Sequence, residues 1–517
     1  MNLTWRTLKN ALYGMAEYLW PVLVAIVAFP YIVRTLGADR YGLLSIVGIT
    51  LGFFGFLDLG IGGAATRQIA ASHEQGDSGD INTVVSTVLC FYLVIGLLGA
   101  ATILLLTNVM VTRWLAIPPA HVPTARLAFI VSAPAFVVSM IGATFSSIPR
   151  AIQRNDVATK VSVATTTLTT LATVGVLMAG RGLLAIVIAG LAINILAIPV
   201  LLAIARRLIP TLRVSLRFDR GVFRDLMGFG SAFLASQIGV LLLYQADKLL
   251  LGSFLSVAFV TYYVVPGSLA QRIQGLVAAA TGIIFPVSAA LFQSGARESM
   301  IRLYREGSRI VFALIVMIAI PLAVFAEPFL RYWMGEEIAS RSWIPMVLLV
   351  GTYSLLAATS TAWGIANGSG RAWANASFTL AIAALDLGLV VWWVPRFGVA
   401  GADQAHGVIA AATAYLVSAM IGVPALIAYV ERRVVGLSGV EFLRLALPSL
   451  LAGTAEFALA CGLRLWAMNL WATLGLMVLT ALAFPLTYWG LGLLQESDRR
   501  LISLLVQRVR GKSPAST

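Results

Sequence analysis

The stretch VVPGSLAQRIQGLVAAATGIIFP, Val264 to Pro286, carries one charge, Arg272, set between Gln271 and Gln274 in an otherwise apolar run. At about 1.5 Å per residue a helix of this length crosses the roughly 30 Å of a bilayer's hydrocarbon core. A guanidinium near its middle costs at least about 2.5–3.5 kcal/mol on insertion scales, so it requires a partner or a watery cavity. The rest of the chain has the same character. Of its 517 residues 59% are hydrophobic and 11% charged, too little polar surface to cover a water-soluble domain.

Apolar runs lie near residues 11–33, 41–66, 83–106, 125–145, 161–179, 183–205, 229–251 and 258–288, and again near 309–330, 344–366, 376–394, 401–429, 446–466 and 471–494. The roughly 10-residue alternation of a membrane barrel is missing. The reading is an all-α integral membrane protein with about fourteen transmembrane helices. The first run follows Arg6 and Lys9 but is too long for a signal peptide and lacks a small-residue cleavage site, so it counts as the first span. Cys90 and Cys461 both fall inside apolar runs and read as small buried hydrophobes. They offer neither a disulfide framework nor a metal site, and no cofactor is expected.

Basic residues set the orientation, because cytoplasmic loops retain Lys and Arg. One alternate set of connections holds Arg6 and Lys9, Arg67, Arg150 to Lys160, Arg206 to Arg224, Arg297 to Arg309, Arg371, Arg432 to Arg444 and Arg499 to Lys512. The other holds Arg34, Arg40, Arg113, Arg181, Arg331, Arg341 and Arg396. Both termini are therefore expected in the cytoplasm, and the net charge of +14 needs no nucleic-acid partner. The longest basic connection, Arg206 to Gly230, reads either as a helix on the anionic inner leaflet or as an ordinary cytoplasmic loop.

Loops outside the membrane are short, which argues against enzyme chemistry. Glu336 and Glu337 sit together on an outer turn, where adjacent carboxylates are solvated charge rather than an acid/base pair. The chain has no G-x-x-x-x-G-K-[ST] phosphate loop. Transport remains. Among the buried charges, Arg272 lines an anion-binding cavity or forms a structural pair with Asp386 or Glu17, and the accompanying Pro266, Gly267, Gly275, Gly282 and Pro286 suit a bent helix around a central site. Asp386 and Glu456 lie mid-span; Asp386 bonds a neighbouring helix or carries an ion, and Glu456 faces its neighbour. Asp247, Lys248, Asp58, Asp403 and His406 fall near span ends, where interfacial water solvates them cheaply.

The segment PYIVRTLGADRYGLLSIVGITLGFFGFLDLGIGGAATRQIA, Pro30 to Ala70, resembles the opening of bacterial polysaccharide flippases, the O-antigen and exopolysaccharide transporters of the multidrug/oligosaccharidyl-lipid/polysaccharide exporter superfamily. The matching features are Leu36–Gly37, Tyr41–Gly42, Leu57 to Gly60 and Arg67. Asp247, Leu251, Gly252 and Tyr262 or Tyr263 look like the start of the second half, and Pro395 to Ala402 is similar to the family's connection before the twelfth span.

The resemblance implies two pseudo-symmetric six-helix lobes around a central cavity, residues 1–205 and 229–429. A basic linker at 206–228, a terminal helix pair at 430–494 and a basic tail at 495–517 would complete the chain. It implies a bacterial inner-membrane transporter that flips a polyprenyl-diphosphate-linked oligosaccharide to the periplasmic leaflet, surrounded by membrane lipids, with glycan polymerase and glycosyltransferases as candidate partners. On physical grounds Arg272, Gln271, Gln274, Arg34, Arg40 and Lys248 are the candidate headgroup contacts. Glu17 and Asp386 are the candidate ion carriers. The competing readings are a cation-coupled multidrug exporter, a lipid II flippase and a non-transporting scaffold for glycan assembly.

Overall fold

The computed structural model describes residues 3–228, 231–399 and 404–493. Among the described residues the regular elements are helices, and strand-like pairing is confined to a bridge between Ala116 and Ser256. In chain order these are α1 (Leu3–Phe54), α2 (Ile61–Gln75), α3 (Ser78–Val109), α4 (Val122–Ala151), α5 (Asn155–Met178), α6 (Leu183–Leu208), α7 (Arg220–Gly228), α8 (Ser231–Leu241), α9 (Asp247–Phe254) and α10 (Val257–Thr281). They continue as α11 (Ile284–Gln293), α12 (Arg297–Val324), α13 (Ala326–Met334), α14 (Glu336–Ala358), α15 (Ser360–Gly368), α16 (Ala372–Val394), α17 (Ala405–Val430), α18 (Glu441–Arg464) and α19 (Leu470–Gly490). The protein is all-α and multi-pass.

Eleven helical stretches among the described residues are long and apolar enough to cross a bilayer, or twelve if the pair α10–α11, bent by 44°, is one span. Fourteen is reached only by two further steps. One divides α1 at Gly37, whose φ of 76° and ψ of 166° leave the helical region; glycine tolerates that conformation because it has no Cβ. The other counts α8, the π-turn Leu242–Ala246 and α9 as one broken span.

The first compact unit comprises Met1–Pro266 and Ala372–Ser418. Its core packs Ile61, Ile69, Val84, Val88, Phe136 and Ile148 from α2, α3 and α4. A Cβ on Gly99 would lie 2.4 Å from the Phe136 ring, so the small residue lets α3 and α4 approach closely. The stretch Leu57–Asp58–Leu59–Gly60 breaks the second span: Leu59 and Gly60 adopt φ of 52° and 76°. Asp58 accepts from Gly62 N at 3.1 Å and from the Tyr92 hydroxyl, supplying a partner to one of the orphan N–H groups that open α2.

The basic connection after α6 is tied to α3 by hydrogen bonds. Asn82 Nδ2 donates to Thr211 O (3.2 Å) and Asn82 Oδ1 accepts from Arg213 N (2.8 Å). Ser86 Oγ accepts from Ser215 N (3.1 Å) and Thr87 Oγ1 from Asp219 N (3.2 Å). These polar groups, one turn apart on α3, hold the segment as a strap. Leu212, Val214, Phe223 and Leu226 then pack into the α2–α3 core, so the apolar face of α7 is buried by protein.

The second compact unit comprises Gly267–Arg371 and Ala419–Thr517. Here α18 lies against α12: a Cβ on Gly453 would stand 2.7 Å from Val316. Phe484 and Tyr488 of α19 join Val316 and Ala452 in a small apolar cluster. One expectation changes: Cys461 is exposed rather than buried. The basic tail, 495–517, lies outside the described residues.

Candidate functional site

The polar centre of the first unit is built by α8, α9, α10 and α16. A Cβ on Gly239 would be 3.2–3.3 Å from Thr379 and Leu380, which fixes α8 against α16. From that contact both helices ascend together: eight residues on lies Asp247, and six residues past Leu380 lies Asp386. At about 1.5 Å per residue these are climbs of about 12 and 9 Å, so the two carboxylates reach a similar level. The π-turn Leu242–Ala246 immediately precedes Asp247; such single-turn bulges rotate the following side chains out of the regular helical register and recur at functional sites.

Both carboxylates are 0% exposed. Asp247 Oδ1 accepts from Lys248 N at 2.8 Å and lies 3.4 Å from the Lys248 ammonium, which also donates to Tyr244 O. Asp247 Oδ2 accepts from the Tyr263 hydroxyl at 2.5 Å. Asp386 differs. Neither of its carboxylate oxygens has a hydrogen-bond partner among the described residues. The expectation that interfacial water solvates Asp247 and Lys248 is therefore overturned: seven residues before the end of α9, Asp247 is enclosed by protein, and a tyrosine and an ammonium take the place of water.

Of the residues singled out by sequence, Lys248 and Asp386 are brought into one cluster, where the charges of Asp247 and Lys248 both act on Asp386. Arg34 and Arg40 are exposed on either side of the Gly37 turn. Arg272 and Gln274 are half-buried and Gln271 exposed on the part of α10 that belongs to the second unit. The span bends at Gly282, ten residues beyond Arg272, while α10 continues through Pro266. Glu17 lies in α1, and its side chain is outside the described residues. Asp403 is outside them too. Glu336 pairs with Arg331 at 2.8 Å and both partners are largely exposed, as solvated charge should be.

Beyond the cluster, toward the C-terminal end of α9, first-unit helices close tightly. A Cβ on Gly42 would fall 1.9 Å from Val257 O, and one on Gly252 2.7 Å from Ile46. Thr261 Oγ1 donates to Ala38 O at 2.7 Å, and Ala116 N donates to Gly252 O at 2.9 Å. The Tyr41–Gly42 and Leu251–Gly252 motifs thus mark the place where the α1 and α9–α10 backbones touch. Their separation in sequence, about two hundred residues, hides this from any local reading.

Residues 7–292 match the family model described as "Polysaccharide biosynthesis protein". The chain belongs to that family. A candidate O-antigen transporter of Shigella flexneri is 23% identical over 358 residues, covering 67% of this chain and 81% of its own. The membrane protein EpsK of Bacillus subtilis (strain 168) is 22% identical over 336 residues, covering 63% of this chain; the match spans 65% of EpsK's length. Among solved structures, the lipid II flippase MurJ in an inward closed conformation superposes with a TM-score of 0.69 at 14% identity, covering 93% of this chain and 99% of that one. The likeness to MurJ shows an all-α membrane fold.

Proposed function

We propose that the protein flips a polyprenyl-diphosphate-linked oligosaccharide from the cytoplasmic to the periplasmic leaflet of a bacterial inner membrane, by alternating access driven by an ion gradient. The observation that carries the substrate class is the match of residues 7–292 to the polysaccharide biosynthesis family. Both termini lie in the cytoplasm on the evidence of the basic loops. No reaction is catalysed; the oligosaccharide is moved unchanged.

Asp247 and Asp386 form the coupling site. With every group ionised, two carboxylates and one ammonium leave a net charge of −1 inside the bilayer, and an unpartnered carboxylate at that depth costs several kcal/mol. A proton or a small monovalent cation removes the cost, so occupancy of the site is linked to the conformation that exposes it. Because Gly252 is five residues past Asp247, rearranging α9 around a bound ion bears directly on the closed outer ends. Arg272, Gln271, Gln274, Arg34 and Arg40 supply donors to the diphosphate and sugar headgroup, while Lys248 serves the coupling cluster through Asp247. Glycan polymerase and glycosyltransferases are the partners on either side of the step.

The test is deletion and complementation. A deletion strain accumulates the lipid-linked glycan on the inner leaflet, the intact gene clears it, and Arg272→Ala inserts normally but clears it poorly. Unchanged glycan export in the deletion strain contradicts the substrate reading. Full export by Arg272→Ala removes that residue from the headgroup path.

A further inference from the structure

At the end of the bundle opposite the basic loops, α3 and α4 leave a groove of about 500 Å³ lined by Leu104, Thr107, Asn108, Arg126 and Ile130. A π-turn, Met110–Trp114, extends α3; Arg126 lies four residues inside α4 and Asn108 six residues before the end of that turn, hence about 6 and 9 Å below the helical ends. That is the depth of the boundary between lipid headgroups and acyl chains. Exposed Leu105 and Leu127 flank the groove, and Trp114 stands exposed above it, as interfacial tryptophans do. The groove lies on an exposed, apolar side of α3 and α4.

Its polar chemistry points one way. An N–H of Arg126 donates to Asn108 Oδ1 at 2.8 Å, which occupies the amide's acceptor and leaves its NH2 group to donate. The remaining guanidinium N–H groups and the Asn108 amide have no acceptor among the described residues. No carboxylate neutralises the charge. α4 and α6 contain no Asp or Glu, and the acid of α3, Asp80, lies 28 residues from Asn108, bonded to Ser72 and Gln68. The mouth carries one positive charge and the free donors of Arg126 and Asn108, while the Thr107 hydroxyl is spent on Ile103 O; above an apolar floor of Leu104 and Ile130, it complements a ligand with one anionic phosphate and a hydrocarbon tail.

We infer that this groove is a binding site for an anionic phospholipid of the outer leaflet, its phosphate held by Arg126 and Asn108 and an acyl chain laid along Leu104 and Ile130. The charge is matched one to one, which favours a monoanionic phosphodiester over a diphosphate. The site belongs to the lipid-facing side of α3 and α4 and is independent of the coupling cluster.

The experiment is native mass spectrometry of the full chain released from nanodiscs of mixed phosphatidylglycerol and phosphatidylcholine. The protein should retain one phosphatidylglycerol selectively. Arg126→Gln should weaken that retention about tenfold, the scale of a lost charge-assisted hydrogen bond. Asn108→Asp should do the same by giving Arg126 an internal counter-ion, with melting temperature and monodispersity unchanged in both. Equal phosphatidylglycerol retention in all three proteins, or no preference over phosphatidylcholine, overturns the site. Selective retention of a polyprenyl diphosphate that Arg126→Gln releases overturns the phospholipid as its occupant.

Discussion

Two buried carboxylates with a tyrosine partner, Asp247 and Glu431, show opposite uses of the same chemistry. Glu431 is 0% exposed and completely served: it accepts from the Tyr304 hydroxyl at 2.6 Å, from Glu441 N at 3.0 Å and from Phe442 N at 2.7 Å. It thereby caps α18 and ties α12 to the turn between α17 and α18, a self-contained structural charge. Asp247 is also fully buried, but its neighbour Asp386 is left without any partner among the described residues. The lesson is that burial alone does not mark a working site in this protein. An unpartnered carboxylate beside other buried charges is what sets Asp386 apart.

The largest effect should come from Asp386→Asn, which abolishes gradient-driven export while leaving the protein inserted, because an amide can neither exchange a proton nor hold a cation electrostatically. Next is Glu431→Ala. It strands the Tyr304 hydroxyl and two N–H groups, costing at least about 3 kcal/mol at about 1–3 kcal/mol per unsatisfied group. The thermal melt should drop sharply, while transport per folded molecule is retained. If Glu431→Ala instead lowers transport at unchanged stability, the contrast between the two carboxylates collapses.

Gly42→Ala forces a methyl against Val257 O and should destabilise the closed outer end by about 1–3 kcal/mol, the usual range for overpacking. Faster labelling of a cysteine placed at Thr261 by an impermeant maleimide is the readout. The smallest effect belongs to Glu456→Gln. Glu456 is as buried and as unpartnered as Asp386, yet it sits beside Gly453, where α18 packs on Val316 and Ile320, with no charge cluster around it. Transport should be unchanged and stability within about 0.5 kcal/mol. A transport defect here sharpens the comparison by making the terminal helix pair part of the coupling.

Much of the architecture was legible in the chain. Runs of about twenty apolar residues announce helices because the bilayer requires internally satisfied backbone. What composition could not show was register. Asp247 looked interfacial because its distance from Gly252 is short, but the π-turn before it and the parallel packing of α8 on α16 place it inside, level with Asp386. The strap after α6 read either as a membrane-surface helix, because its Arg, Leu and Phe residues suit lipid, or as an ordinary loop; its partners Asn82, Ser86 and Thr87 lie some 130 residues earlier on a helix that gives no local sign of them. Arg126 falls one residue inside the expected fourth span, so a count of loop charges passes over it.

The central claim is tested most directly in proteoliposomes, by the initial rate of headgroup translocation with and without an imposed proton or sodium gradient. The wild-type protein should respond to one of the two gradients, and Asp247→Asn and Asp386→Asn should each lose that response while remaining folded. An Asp386→Asn protein with undiminished gradient response contradicts the assignment of the buried pair as the coupling site.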